Sequence, residues 1–294
     1  MSSLPPEPFP APPPRPRRRA TFAVQAGVAV VLLAAAFLAL RPPAANVADT
    51  VSNTTLTVDE SAKVDLARPF VDTPADSWAE GETGIVPPAA VAIGRYSAEQ
   101  VATVMGAVRR LIATSRLNRY VIETHDAESV LALLAPHQAE EMRTQRSNNE
   151  AGNWRLSVRI ARGYELLPVT PRVSGTMAVL VNDKGELVIR TNYLVAYAFD
   201  APDPSSLDGP LDIVAVDRWE ADYIWVDDER YDAGSQGIYY GDFRGFQYSV
   251  NCALPSGIIA PAYSDPTTFR PHGPNAPPES YFDPNAPMQT VGGC

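Results

Sequence analysis

Residues 174–199 read SGTMAVLVNDKGELVIRTNYLVAYAF, two apolar runs on either side of Asn182-Asp183-Lys184-Gly185. The runs are rich in β-branched and aromatic residues, which fit a pleated, half-buried surface. The four residues between them are turn formers, with Gly185 placed to take a positive φ angle. The spacing therefore predicts an antiparallel hairpin of two long strands, Ser174 to Val181 and Leu187 to Phe199. The same period of two extends outward. Arg155 to Ile160 alternates polar and apolar side chains, and a long strand is predicted from Ile213 to Val226 after the Pro- and Asp-rich loop Asp200 to Gly209. A further extended segment is predicted around Phe246 to Leu254. Long strands joined by hairpins make a curved antiparallel sheet.

Upstream the period changes to that of helices. Ser97 can cap a helix, Gln100 stands three residues later to bond back, and Tyr96 and Val101 can close as a staple. Val101, Val104, Met105, Val108, Leu111 and Ile112 then form one apolar stripe, which predicts a helix to about Ser115. A second helix is predicted from Asp126 through Leu131 and Leu134. Pro136 interrupts it and suits the first turn of a short third helix through Met142. Helices followed by a strand meander give an α+β domain in which the helices cover one face of the sheet.

This order of elements, over residues 78–260, resembles the NTF2-like (cystatin-like) fold. Taken with the uncharged stretch Ala20 to Leu40 behind Arg17, Arg18 and Arg19, and the extended stretch 41–80 after it, it is similar to a group of uncharacterised actinobacterial single-pass envelope proteins. That resemblance implies a domain held outside the cell membrane. It brings no functional residue with it, because families of this fold include enzymes, ligand carriers and assembly modules.

Ala20 to Leu40, ATFAVQAGVAVVLLAAAFLAL, holds no charged side chain. A helix rising ~1.5 Å per residue needs about 20 apolar residues to cross the hydrocarbon core, which this segment supplies. Arg17, Arg18 and Arg19 precede it and Arg41 alone follows, which predicts a cytoplasmic N-terminus. The competing reading is a cleaved signal peptide, disfavoured by the length of the run and by the Arg41-Pro42-Pro43 that follows it. The predicted organisation is a Pro/Arg-rich cytoplasmic tail (1–19), a transmembrane helix (20–40), an extended stalk (41–80), an extracytoplasmic α+β domain (81–262) and a Pro-rich C-terminal tail (263–294). The net charge is −10, and five of the 24 basic but one of the 34 acidic side chains lie in residues 1–41. Residues 42–294 thus carry −14, a sign that repels nucleic acid.

Cys252 and Cys294 are the two cysteines, both placed by the anchor on the oxidising side, so a Cys252–Cys294 disulfide is expected. It would close a loop of roughly 40 residues and restrict the unfolded chain by a few kcal/mol in the entropy model. Free thiols or an intermolecular bridge are the alternatives. His125, His137 and His272 lack metal-ligand spacing and read as ordinary surface histidines. Asp217, Glu220, Asp222, Asp227, Asp228, Glu229 and Asp232 form the densest acidic run. Arg230 stands where a calcium loop would want an oxygen ligand, so the run reads as a solvated rim. No metal and no cofactor is expected. Alternation sets Glu220 and Asp222 on one face and Trp219, Tyr223 and Trp225 on the other, where the three aromatics are the candidate lining of a pocket. Tyr239 to Phe246 mixes aromatics with glycine and reads as an exposed loop or lid.

The functional expectation is a non-catalytic binding or assembly module at the outer face of the membrane, with an envelope protein or a second copy of the chain as partner. The alternative is a small-molecule carrier or enzyme that uses a pocket on the concave face of the sheet.

Overall fold

The computed structural model describes residues 57–148, 153–266 and 276–288. They form an α+β fold with a curved antiparallel sheet. The 3-10 turns at Pro74–Ser77 and Gly81–Gly84 flank the short strand β1 (Ala79–Glu80). The helical part follows. Helix α1 (Ala98–Arg116) begins as the sequence predicts: Gln100 N donates to Ser97 Oγ at 3.2 Å, and Ser97 N donates to Gln100 Oε1 at 2.8 Å. Its stripe of Val101, Val104, Met105, Val108, Leu111 and Ile112 is buried.

Helix α2 (Arg119–Thr124) was not predicted; Asn118 caps it, and His125 ends it in the left-handed region at φ 62. Asp126 then starts the short α3 (Glu128–Leu131) by accepting from Glu128 N at 3.0 Å. Pro136 opens α4 (Pro136–Asn148), which runs past the expected end at Met142 by about 1.7 turns. The predicted strand at 155–160 is different. Asn153–Leu156 form a helical turn, α5, and only β2 (Arg159–Ile160) is extended. Tertiary contacts explain the change, because the turn delivers the Trp154 indole to Asp217 at 2.8 Å.

β3 (Arg172–Val181) and β4 (Leu187–Ala198) are the predicted hairpin, with Val181 opposite Leu187. Asn182 Oδ1 accepts from Lys184 N and Glu186 N, both at 3.0 Å, and Gly185 takes φ 79. β5 (Val214–Val226) pairs antiparallel with β4 and with β6 (Gly237–Tyr248). The five-stranded order is β1-β3-β4-β5-β6, while β7 (Ile258–Ile259) pairs in parallel with β2. Tyr239 to Phe246 is therefore not a lid but most of β6. Its glycines make room for neighbours: a Cβ on Gly245 would stand 3.0 Å from the Trp154 ring and 2.3 Å from Arg218 O.

The sheet is packed on both faces. Ala215, Trp219, Ala221 and Tyr223 of β5 meet the buried stripe of α1 in the larger hydrophobic cluster. Val214 and Val216 point the other way, into a second cluster with Leu194, Ala196, Phe246 and Tyr248. Two segments from outside the predicted domain complete that second cluster. Phe70 and Trp78 come from the expected stalk, and Tyr281 and Phe282 from the expected tail. Burying each of these side chains stabilises the fold by roughly 1.5–3 kcal/mol. The packed unit thus extends beyond residues 81–262 at both ends.

Among the described residues no helix is long and apolar enough to cross a membrane. The predicted span Ala20–Leu40, the arginine-rich tail before it, His272 and Cys294 lie outside the described residues.

Candidate functional site

The helix-covered face carries one charged pair. Arg116 is the last residue of α1 and falls four residues after Ile112, on the apolar stripe; Asp217 falls among the inward residues of β5. Their side chains are 2 % and 0 % exposed, with Arg116 Nε 3.9 Å from Asp217 Oδ2. Trp154 Nε1 and Gln247 Nε2 donate to Asp217 Oδ1 at 2.8 and 3.3 Å. Arg116 Nη2 donates to the Trp154 carbonyl at 2.8 Å, and the Tyr197 hydroxyl donates to the Arg116 carbonyl at 2.7 Å. The pair therefore ties α1, α5, β4, β5 and β6 to one point.

Burial pushes the Asp217 carboxyl up, while the Arg116 charge and the bonds from Trp154 and Gln247 pull it back. Around it lie Trp219, whose ring has the Arg116 guanidinium 5.0 Å above it, and Tyr193, with its ring 6.0 Å from that of Trp219. Burial lifts the Tyr193 hydroxyl to about 12. Arg116 Nη1, Asp217 Oδ2 and the Tyr193 hydroxyl find no hydrogen-bond partner among the described residues.

Of the three aromatics expected to line a pocket, Trp219 and Tyr223 are buried members of this face, and Trp225 is half-buried toward the end of β5. Arg116 and Trp154 were missed from sequence. A charge on an apolar helical stripe was a visible signal for the first; nothing marked the second.

The opposite face divides into two halves. Leu194, Ala196, Val216, Phe246 and Tyr248 are covered, as described above. Beyond Asn192 and Arg218 the face is open and charged. There Arg190 donates to both oxygens of Asp222, at 2.8 and 2.7 Å, and Arg244 donates to Glu220 at 2.6 Å. With Asp242 and Phe243 these four side chains line an open recess across β4, β5 and β6. The acidic run is thus largely resolved into pairs. Asp227 receives Arg95, and the Arg230 side chain holds the half-buried Asp228 carboxyl down at about 2. Asp232 accepts from Ser235 N at 3.2 Å. His125 Nε2 is 2.8 Å from the Ile160 carbonyl, and His137 Nδ1 is 3.1 Å from Ser235 Oγ. Among the described residues no three His, Cys, Asp or Glu side chains converge on a metal-sized space. Cys252 lies in the loop after β6, and no described cysteine is a free thiol.

Comparison of the chain with protein-family models, with curated proteins and with solved structures finds no match.

Proposed function

We propose that this chain is a membrane-anchored extracytoplasmic module of the cell envelope that binds or assembles with other proteins and does no chemistry of its own. The carrying observation is how the sheet is used. Its helix-covered face is occupied by the α1 stripe, Trp219 and Tyr223, and its charges there are paired. The open charged ladder of Arg190, Asp222, Glu220 and Arg244 is left as a presented surface. A sheet with a packed core on one side and a patterned polar surface on the other suits recognition, where charge complementarity sets specificity. The uncharged Ala20–Leu40 segment behind its arginines supports the anchor, with the N-terminus in the cytoplasm. Helices first, then an antiparallel meander with those helices on one face, supports the NTF2-like assignment. An extracytoplasmic location also supports a Cys252–Cys294 disulfide. Chemical cross-linking of intact cells tests the reading: discrete adducts to a protein neighbour are expected, and a solitary monomer under all conditions overturns it.

One observation favours the pocket reading instead. The unpartnered Arg116 Nη1, Asp217 Oδ2 and Tyr193 hydroxyl are the groups a small polar ligand would satisfy. Quenching of Trp219 fluorescence by such a ligand, lost in Tyr193→Phe, would support a carrier; an indifferent spectrum would exclude it.

A further inference from the structure

Helix α1 has a second face beside its buried stripe. Gly106, Arg109, Arg110, Ala113 and Thr114 recur at three and four along it, and Leu117 follows just past its end. Together they form one wall of a cleft of about 600 Å³. The facing wall is made by Gly81 and Glu82 of the 3-10 turn and by Thr170 and Pro171, which lead into β3. No lining residue is shared with the charged recess on β4, β5 and β6.

The cleft gathers donors that the fold leaves unused. Among the described residues the Arg110 guanidinium has no hydrogen-bond or ionic partner. Thr103, earlier in the helix, bonds back to the Glu99 carbonyl at 2.9 Å. The Thr114 hydroxyl makes no such bond among the described residues, and the Thr170 hydroxyl is equally free there. Asn118 Oδ1 accepts from Val121 N at 3.4 Å, which leaves its Nδ2 to the cleft. Arg109 is held in place instead. Its Nε donates to the Ile85 carbonyl at 3.1 Å and its Nη2 to the Glu82 carbonyl at 2.9 Å, so the guanidinium is fixed while Nη1 stays open.

Glu82 is the one carboxylate among the described residues of the lining, and its Oε2 stands 3.8 Å from Arg109 Nη2, beyond hydrogen-bond reach. Two guanidiniums against one carboxylate make the cleft basic on an otherwise acidic domain. Both arginines lie ahead of the last turn of α1, in which the helix dipole would oppose an anion. The floor is open as well. Apart from its own helix turns, no described atom stands within 4 Å of where a Gly106 Cβ would lie. Glycine inside a helix weakens it relative to alanine, and no packing neighbour requires one here.

We propose that this cleft binds a phosphomonoester, with the phosphoryl group held between Arg109 and Arg110 and the body laid over Gly106, Ala113 and Leu117. A phosphoryl dianion offers three acceptor oxygens. That suits two guanidinium forks and the Thr114 and Thr170 hydroxyls better than the two oxygens of a carboxylate do. The volume is in the range of small-molecule sites, which leaves room for the rest of the molecule. The proposal goes beyond the assembly reading and does not depend on it, because the ligand is a small molecule and the charged ladder takes no part.

Calorimetric titration of the full chain in neutral detergent with glycerol 3-phosphate tests it. Saturable one-to-one binding is expected, at least about tenfold tighter than that of glycerate, whose anionic group is a carboxylate. Arg110→Gln removes a side chain with no partner to lose, and should weaken binding at least about tenfold. Gly106→Leu should weaken it as much while raising Tm, since the helix gains propensity as the cleft loses its floor. A loss of binding through misfolding would lower Tm instead. Water-soluble dibutyryl phosphatidic acid distinguishes the carrier of the phosphoryl group. An affinity no higher than that of glycerol 3-phosphate supports a soluble molecule, and a gain of about tenfold supports a lipid headgroup. Absence of glycerol 3-phosphate binding, no preference over glycerate, or binding indifferent to either variant overturns the proposal.

Discussion

Replacing Arg116 by Met leaves the Asp217 carboxylate dry and without its counter-charge, held only by Trp154 and Gln247. Breaking a buried pair by removing one partner costs about 3–5 kcal/mol. For a domain of this size that lowers Tm by roughly 6–20 °C. Asp217→Asn strands Arg116 in turn, and is expected to cost a similar amount. The double variant behaves differently. Asn at 217 still offers an oxygen to Trp154, Met at 116 keeps its contact with the Trp219 ring, and no charge remains buried. It is expected to be more stable than either single variant.

Acid discriminates further. Burial raises the Asp217 carboxyl, so its contribution is fully present below the unfolded value of 3.8 and is lost as pH rises through the folded one. Without Arg116 that folded value rises again, and Arg116→Met should recover stability relative to wild type as pH falls from neutral toward 4.5. Urea unfolding at both pH values measures all of this. Additive costs in the double variant, or a single variant costing less than about 1 kcal/mol, would refute the reasoning.

Three further outcomes follow from local geometry. Ser97→Ala removes half of the capping box on α1 and should cost about 1 kcal/mol in urea unfolding. Gly245→Val places a Cβ 2.3 Å from Arg218 O and 3.0 Å from the Trp154 ring. It should destabilise by about 1–3 kcal/mol and alter the near-ultraviolet circular dichroism of Trp154. In Arg230→Gln the Asp228 carboxyl should titrate nearer 3.8 than the wild-type value of about 2, as carboxyl-carbon NMR would report. The group's folded value is depressed, so its stabilising effect is present above 3.8 and fades as pH falls through about 2.

What the sequence made legible was what local chemistry decides. Ser97 and Gln100, Pro136, and the turn at Asn182–Gly185 each act on neighbours within a few residues, and each stands where expected. The alternation of β5 correctly separated Trp219 and Tyr223 from Glu220 and Asp222. Segments whose structure is set by distant partners were misread. Arg155 to Ile160 alternates like a strand, yet Trp154 is drawn into a helical turn by Asp217, which lies in β5. The glycines of Tyr239–Phe246 look like loop residues, but Gly245 is what a strand needs when an indole lies across it. The segment around Tyr281 and Phe282 escaped notice for a related reason. Tyr281 and Phe282 are a single apolar pair among prolines, without period, and only Tyr248 and Arg218 give them a place.

The charged ladder of β4, β5 and β6 is the proposed working surface of the module. Photo-cross-linking in intact cells from position 242 on the ladder, with position 110 on the exposed side of α1 as the comparison, examines that claim most directly. Discrete adducts to a protein neighbour from position 242, absent from position 110, are predicted. Adducts from position 110 alone, or from neither, would contradict it.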